Sequence, residues 1–189
     1  MRSFKKLGIL VAVFALCAIG AANASAAEFT ASATGSITGE ALETQVFTTS
    51  GGTVECDTAV TSGTISSTAA TSQHVTVEYD SCSAFFFPVH ISPATYNFTA
   101  NGETHIEKAI SITVTGGIFG ECTITVPKQS VTSVDFANSG TSNVKVTPTV
   151  TGIDYTSTGG ICGSSGSEGT YSGANEVSRA EGGTLRFDA

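Results

Sequence analysis

Tryptophan is absent from this chain, and lysine and arginine together number 8 against 16 aspartates and glutamates. The first absence weighs against a carbohydrate-binding module, whose flat sites depend on aromatic platforms. The second weighs against nucleic acid and anionic lipid as partners, because a chain with a net charge of −8 repels phosphate. Beyond residue 26 no apolar run approaches the roughly twenty residues a helix needs to cross a bilayer, so no transmembrane anchor is expected there. Helical periodicity in that region never lasts more than about two turns. The spacings that announce common chemistries are also missing. There is no Cys-x-x-Cys pair of a structural zinc site, no His-Glu-x-x-His and no Gly-x-Ser-x-Gly elbow. No Asp-x-Asp-x-Asp-Gly calcium loop occurs.

What is present starts with an export signal. Met1-Arg2-Ser3-Phe4-Lys5-Lys6 is a cationic head, Leu7 to Ile19 is apolar, and Ala22-Asn23-Ala24 and Ala24-Ser25-Ala26 are overlapping Ala-x-Ala exits. Cleavage is expected after Ala24 or Ala26, with Ala26 preferred, which divides the chain into a signal peptide over 1–26 and one extracellular domain over 27–189. Cys17 follows Leu16 rather than a small residue and sits in a continuing apolar run, so it reads as part of the signal core and not as a lipid acceptor. Losing Arg2, Lys5 and Lys6 takes the net charge from −8 to −11. The protein is therefore expected outside the cytoplasm, secreted or associated with the cell surface.

Four cysteines remain: Cys56, Cys82, Cys122 and Cys162. An even number in an exported chain argues for two disulfides, with three connectivities open. Cys56–Cys82 with Cys122–Cys162 is preferred, because each pair brackets a run of strands that can fold back on itself. Each bridge is expected to add about 2–4 kcal/mol.

Strand signals recur along the whole domain. His74-Val75-Thr76-Val77-Glu78-Tyr79-Asp80 places Val75, Val77 and Tyr79 on one face and His74, Thr76, Glu78 and Asp80 on the other. Thr95 to Ala100, then Asn101-Gly102, then Glu103 to Glu107 reads as a hairpin with a two-residue turn. Ile110 to Val114, Cys122 to Val126, Val131 to Phe136 and Val144 to Thr147 continue the pattern. Thr156 to Ser167 is too rich in glycine for regular structure and is expected to be a surface loop pinned by Cys162. Roughly ten to twelve short strands predict an all-β fold, an antiparallel β-sandwich with an irregular β-barrel as the alternative.

Candidate chemistry is sparse. His74, His90 and His105 are the histidines, and none has an activated nucleophile in a recognisable setting beside it. Glu55 with Asp57, and Glu78 with Asp80, each place two carboxylates on one strand face as a glycosidase pair requires, but their neighbours are hydroxyls, and solvated faces explain them. No catalytic, metal or cofactor site is assigned. Phe85-Phe86-Phe87 stands out, since three consecutive aromatics on a strand cannot all share one face. Buried, they belong to the core; exposed, they form a contact surface for a polymer, lipid or partner protein.

Phe29 to Gly35, Gln45 to Thr49, His90 to Tyr96, Val146-Thr147-Pro148 and Gly169 to Val177 are spread across nearly all of residues 27–189. In these segments the chain resembles uncharacterised exported β-rich proteins of actinobacteria. The resemblance implies an exported, disulfide-bearing protein and carries no activity with it. The expected function is a non-catalytic structural or binding role at the cell surface or in the extracellular matrix. A secreted hydrolase and a surface subunit assembling by strand exchange are the alternatives.

Overall fold

A computed structural model describes residues 26–116, 120–159 and 162–189. The expected signal peptide, all but Ala26, lies outside the described residues, and so does Cys17. Fifteen strands follow one another among the described residues: β1 (Glu28–Ala31), β2 (Gly35–Thr49), β3 (Gly52–Ile65), β4 (Ala69–Ala70), β5 (Ser72–Ala84), β6 (Phe87–Ile91), β7 (Ala94–Thr99), β8 (Thr104–Ile106), β9 (Ile110–Thr115), β10 (Glu121–Val126), β11 (Gln129–Val131), β12 (Val134–Ser139), β13 (Asn143–Thr158), β14 (Gly166–Arg179) and β15 (Leu185–Asp188). The fold is all-β, as expected.

The strands close on themselves. Antiparallel pairing runs β5-β3-β2-β14-β13-β10-β9-β6 and returns from β6 to β5, so eight staves form a complete ring. This is the barrel alternative rather than the sandwich. The physical reason is that β2 pairs β14 and β6 pairs both β5 and β9, which leaves no edge along which the wall could part into two sheets. Three staves are bent in the middle. Cys82 faces Val89 and Val77 faces Ala94 across one continuous register, so β6 and β7 are halves of one stave broken at Ser92-Pro93, where proline has no N–H to donate. Likewise β8 leads into β9, and β10 leads into β11 across Pro127-Lys128. β12 pairs the first half of β13.

Alternation sorts the side chains into an apolar inside and a polar outside. Ile110, Ile112 and Val114 on β9 and Cys122, Ile124 and Val126 on β10 are buried, with Ser, Thr and Glu between them. On the outer wall Ser36, Thr38, Glu40, Glu55, Asp57, Glu78 and Asp80 are exposed. A membrane-spanning barrel shows the reverse arrangement, with an apolar band outside. No helix among the described residues is long and apolar enough to cross a membrane.

Both disulfides join the expected cysteines, Cys56 to Cys82 and Cys122 to Cys162. Cys56 and Cys82 are register partners on neighbouring staves. Cys122 on β10 holds the segment between β13 and β14, where Cys162 is buried. The two ends of the barrel are closed differently. At one end β15, β1 and β4 form a small sheet, and the rings of Phe29, Phe136 and Phe187 meet there at centroid distances of 4.9–5.6 Å. At the other end the Tyr155 hydroxyl donates to Ser50 Oγ (3.1 Å) and accepts from Ser50 N–H (3.0 Å). There Gly51 packs so closely on Cys162 that a Cβ at Gly51 would lie 2.0 Å from the Cys162 carbonyl oxygen.

The β7–β8 hairpin falls where expected, but its turn is wider. Gly102 N–H donates to Thr99 O (3.0 Å), Thr99 N–H donates to Glu103 O (2.9 Å), and in this turn Gly102 has a positive φ of 85° whereas Asn101 does not. That is a three-residue loop with glycine at the left-handed position. Asn101 serves it through its side chain, which accepts from Glu103 N–H at 3.1 Å.

Candidate functional site

The barrel interior is where polar chemistry and unfilled space coincide. Gln45 and Phe47 project inward from β2, Tyr79 from β5, Tyr96 from β7, and Tyr171 and Asn175 from β14. Gln45 is 2 % exposed, among the largest fully enclosed side chains. Its amide lies against the backbone of β14, where a Cβ at position 173 would come within 2.4 Å of Gln45 Oε1. Gly173 therefore makes the room that lets a buried amide lie flat on the wall.

A hydrogen-bonded chain crosses the interior. Gln45 Nε2 donates to Glu43 O at 2.8 Å and to Ala174 O at 3.2 Å. Its Oε1 accepts from the Tyr171 hydroxyl. Tyr171 in turn accepts from Tyr79 at 3.1 Å, and Tyr79 and Tyr96 hydroxyls lie 3.0 Å apart. Each ring is only partly buried, but the hydroxyl ends meet inside the wall. Burial of the hydroxyl, followed by the neighbouring phenol in the group, pushes the pKa of Tyr79, Tyr96 and Tyr171 well above the usual phenol value of 10.0. Burial disfavours a phenolate, and a phenol that is donating a hydrogen bond resists losing its proton.

Beside this chain two neighbouring spaces remain unfilled, with Val77, Phe98, Val146 and Asn175 lining both. One, of about 80 Å³, is lined by apolar groups such as Phe47, Ile112, Val126 and Val150. The second, of about 60 Å³, lies under the cap against Phe29, Ile37, Val177 and Leu185. Among the described residues no charged side chain lines either space. Asn175 is 7 % exposed and Thr104 2 %, yet Asn175 Oδ1 and Thr104 Oγ1 have no hydrogen-bond partner among the described residues. Buried polar atoms are nearly always paired, and leaving one unpaired costs about 1–3 kcal/mol.

The residues singled out from sequence lie elsewhere. His74 and His90 are on the outer wall, His74 with its Nδ1 3.1 Å from Glu107 Oε1. His105, half-buried, has its Nδ1 2.7 Å from Ser130 Oγ. Glu55, Asp57, Glu78 and Asp80 all face solvent. Among the described residues no three His, Cys, Asp or Glu side chains gather where they could hold a metal ion. The cavity residues Gln45, Tyr96, Thr104, Tyr171 and Asn175 were not singled out. Only Tyr79 was placed on an inward face by alternation.

Phe85 and Phe86 form the two-residue turn between β5 and β6, flanked by the pair Ala84–Phe87. Both have positive φ, 50° and 70°. Phe85 is 59 % exposed with its ring laid over Gly52, Phe86 is fully exposed, and Phe87 is partly buried against the core. Two left-handed residues match the right-handed twist of a hairpin, but this conformation favours Asn-Gly over aromatic side chains, which pay about 1–2 kcal/mol each. Replacing Phe85-Phe86 by Asn-Gly is expected to raise the melting temperature by about 3–8 °C. A drop in the melting temperature would show that the Phe85 ring on Gly52 outweighs the backbone strain.

Comparison with protein-family models, with curated proteins and with solved structures returns no match.

Proposed function

We propose that this chain is an exported, non-catalytic binding protein whose barrel encloses a small, neutral, largely apolar molecule. The observation that carries the reading is that Asn175 and Thr104, whose Oδ1 and Oγ1 are buried without a partner among the described residues, line unfilled space in a largely apolar interior. Ligand sites have this composition, mostly apolar with a few placed polar groups. An eight-stranded barrel has an interior of the size that either fills with side chains or holds one small ligand. The two disulfides suit an oxidising compartment and support extracellular placement. The resemblance to exported actinobacterial proteins points the same way. The hydrolase alternative draws less support, because the paired carboxylates Glu55/Asp57 and Glu78/Asp80 are exposed on the outer wall. The Phe85-Phe86 turn supports a second, additional role, contact with an apolar surface, since two aromatic rings are held there at a conformational cost.

The test is a titration of the oxidised exported chain with xenon and with toluene, followed through the methyl resonances of Ile112 and Val150. Saturable shifts at these inward methyls are expected, with a rise in melting temperature that grows with ligand concentration. Unmoved methyls at saturating xenon would mean that the interior is closed to ligands and would sink the reading.

A further inference from the structure

The hydrogen atoms of the interior network have one consistent arrangement, and it determines what kind of ligand the cavity can recognise. Gln45 Nε2 is held by two backbone carbonyls, so its Oε1 must be the atom facing Tyr171, and Tyr171 must donate to it. With its proton so placed, Tyr171 can only accept from Tyr79, and Tyr79 can only accept from Tyr96. The protons thus run Tyr96 to Tyr79 to Tyr171 to Gln45, and all three phenol protons are engaged within the protein. What the walls still offer is mainly acceptor capacity: the Oδ1 of Asn175, a residue that lines both spaces, a lone pair on the Tyr96 oxygen, and the hydroxyl of Thr104, unpartnered among the described residues and able to accept or to donate.

We infer that the occupant is an uncharged, ring-sized apolar molecule bearing a hydroxyl or N–H donor, and that Asn175 is the acceptor that recognises this donor. This inference rests on the binding reading above. The absence of any charged residue on the lining excludes an ionic ligand, since a buried charge without a partner is heavily penalised. The size follows from the neighbouring spaces of about 80 and 60 Å³, both lined by Asn175: an apolar cavity of about 150 Å³ accepts benzene, so a ring-sized occupant would draw on both. A purely apolar ligand would fill the volume but leave Asn175 Oδ1 unpaired. A donor-bearing one of the same shape satisfies it, and that difference is the source of selectivity.

Phenol, toluene and benzoate are nearly isosteric and serve as probes. Because phenol and toluene differ in their own affinity for water, the informative quantity is the ratio of their dissociation constants, compared between the wild type and Asn175→Leu. The phenol preference is expected to fall about tenfold in Asn175→Leu, with toluene binding little changed. Thr104→Val, an isosteric change, is expected to lower it less, and it keeps the test available if Asn175→Leu folds poorly. An unchanged ratio in both variants, or benzoate binding as well as phenol, overturns the inference while leaving the cavity a binding site. Failure of all three probes together with xenon overturns the binding reading itself.

Discussion

Raising the pH above 10 is expected to unfold this protein steeply, with the loss of β-structure and the ionisation of Tyr79, Tyr96 and Tyr171 occurring as one event. Tyr79, Tyr96 and Tyr171 have their pKa values raised in the folded state by burial and by each other. A raised pKa on an acid means that the folded state holds the proton more tightly than the unfolded chain. The stabilisation is therefore complete below the unfolded value near 10 and is lost as the pH climbs beyond it. Each such tyrosine removes about 1.4 kcal/mol per pH unit, so three acting together remove about 4 kcal/mol per unit. Against a total stability of about 5–15 kcal/mol, unfolding falls within a few units of pH 10. Absorbance at the tyrosinate band and far-ultraviolet circular dichroism should move together. In Tyr79→Phe the slope of stability against pH should fall by about a third. Gradual ionisation centred near pH 10 with the circular dichroism intact would show that the three hydroxyls are open to solvent.

Reduction of both disulfides is expected to have an effect of similar size. The bridges span 26 and 40 residues, and restriction of the unfolded chain by loops of those lengths corresponds to about 3.5–4 kcal/mol each. The reduced protein should therefore have a melting temperature at least 15 °C lower, at about 2–4 °C per kcal/mol, or be unfolded at 37 °C. The double variants Cys56→Ala/Cys82→Ala and Cys122→Ala/Cys162→Ala separate the two contributions. Removing Cys122–Cys162 should be the more damaging, because Cys56 and Cys82 sit on staves already paired along their length whereas Cys162 lies between strands. A cooperative melt in reductant within a few degrees of the oxidised protein would refute both contributions.

Local order was legible in the amino-acid sequence to the extent that alternation and turn chemistry are local. Val75, Val77 and Tyr79 face inward and His74, Glu78 and Asp80 outward, as their two-residue period requires. The cysteine pairs were legible because each bracketed a foldable run. Closure of the ring was not, since it depends on β14 meeting β2, an encounter between residues 166–179 and 35–49 that no local pattern announces. The cavity escaped for a different reason. Gln45 and Asn175 share the inward alternation of Phe47 on β2 and of Tyr171 and Val177 on β14, but where space is left inside a closed ring depends on the summed side-chain volumes of all its staves, which no local pattern announces. Their amides read as surface residues by composition. The Phe85-Phe86 turn was opaque because its residues have the wrong chemistry for the conformation they adopt.

Ring closure also has a kinetic consequence. Around the barrel almost every pairing joins staves that follow one another in the chain, and the exception is β14 with β2. The entropy of bringing distant segments together is thus concentrated in a single encounter, and topology of this kind sets folding speed. Until β14 docks, the nascent molecule is a curled open sheet whose apolar concave side and two unpaired margins are exposed to any neighbouring copy. Crowded refolding should lose material to aggregation at that stage, and chains ending before Gly166 should never leave it.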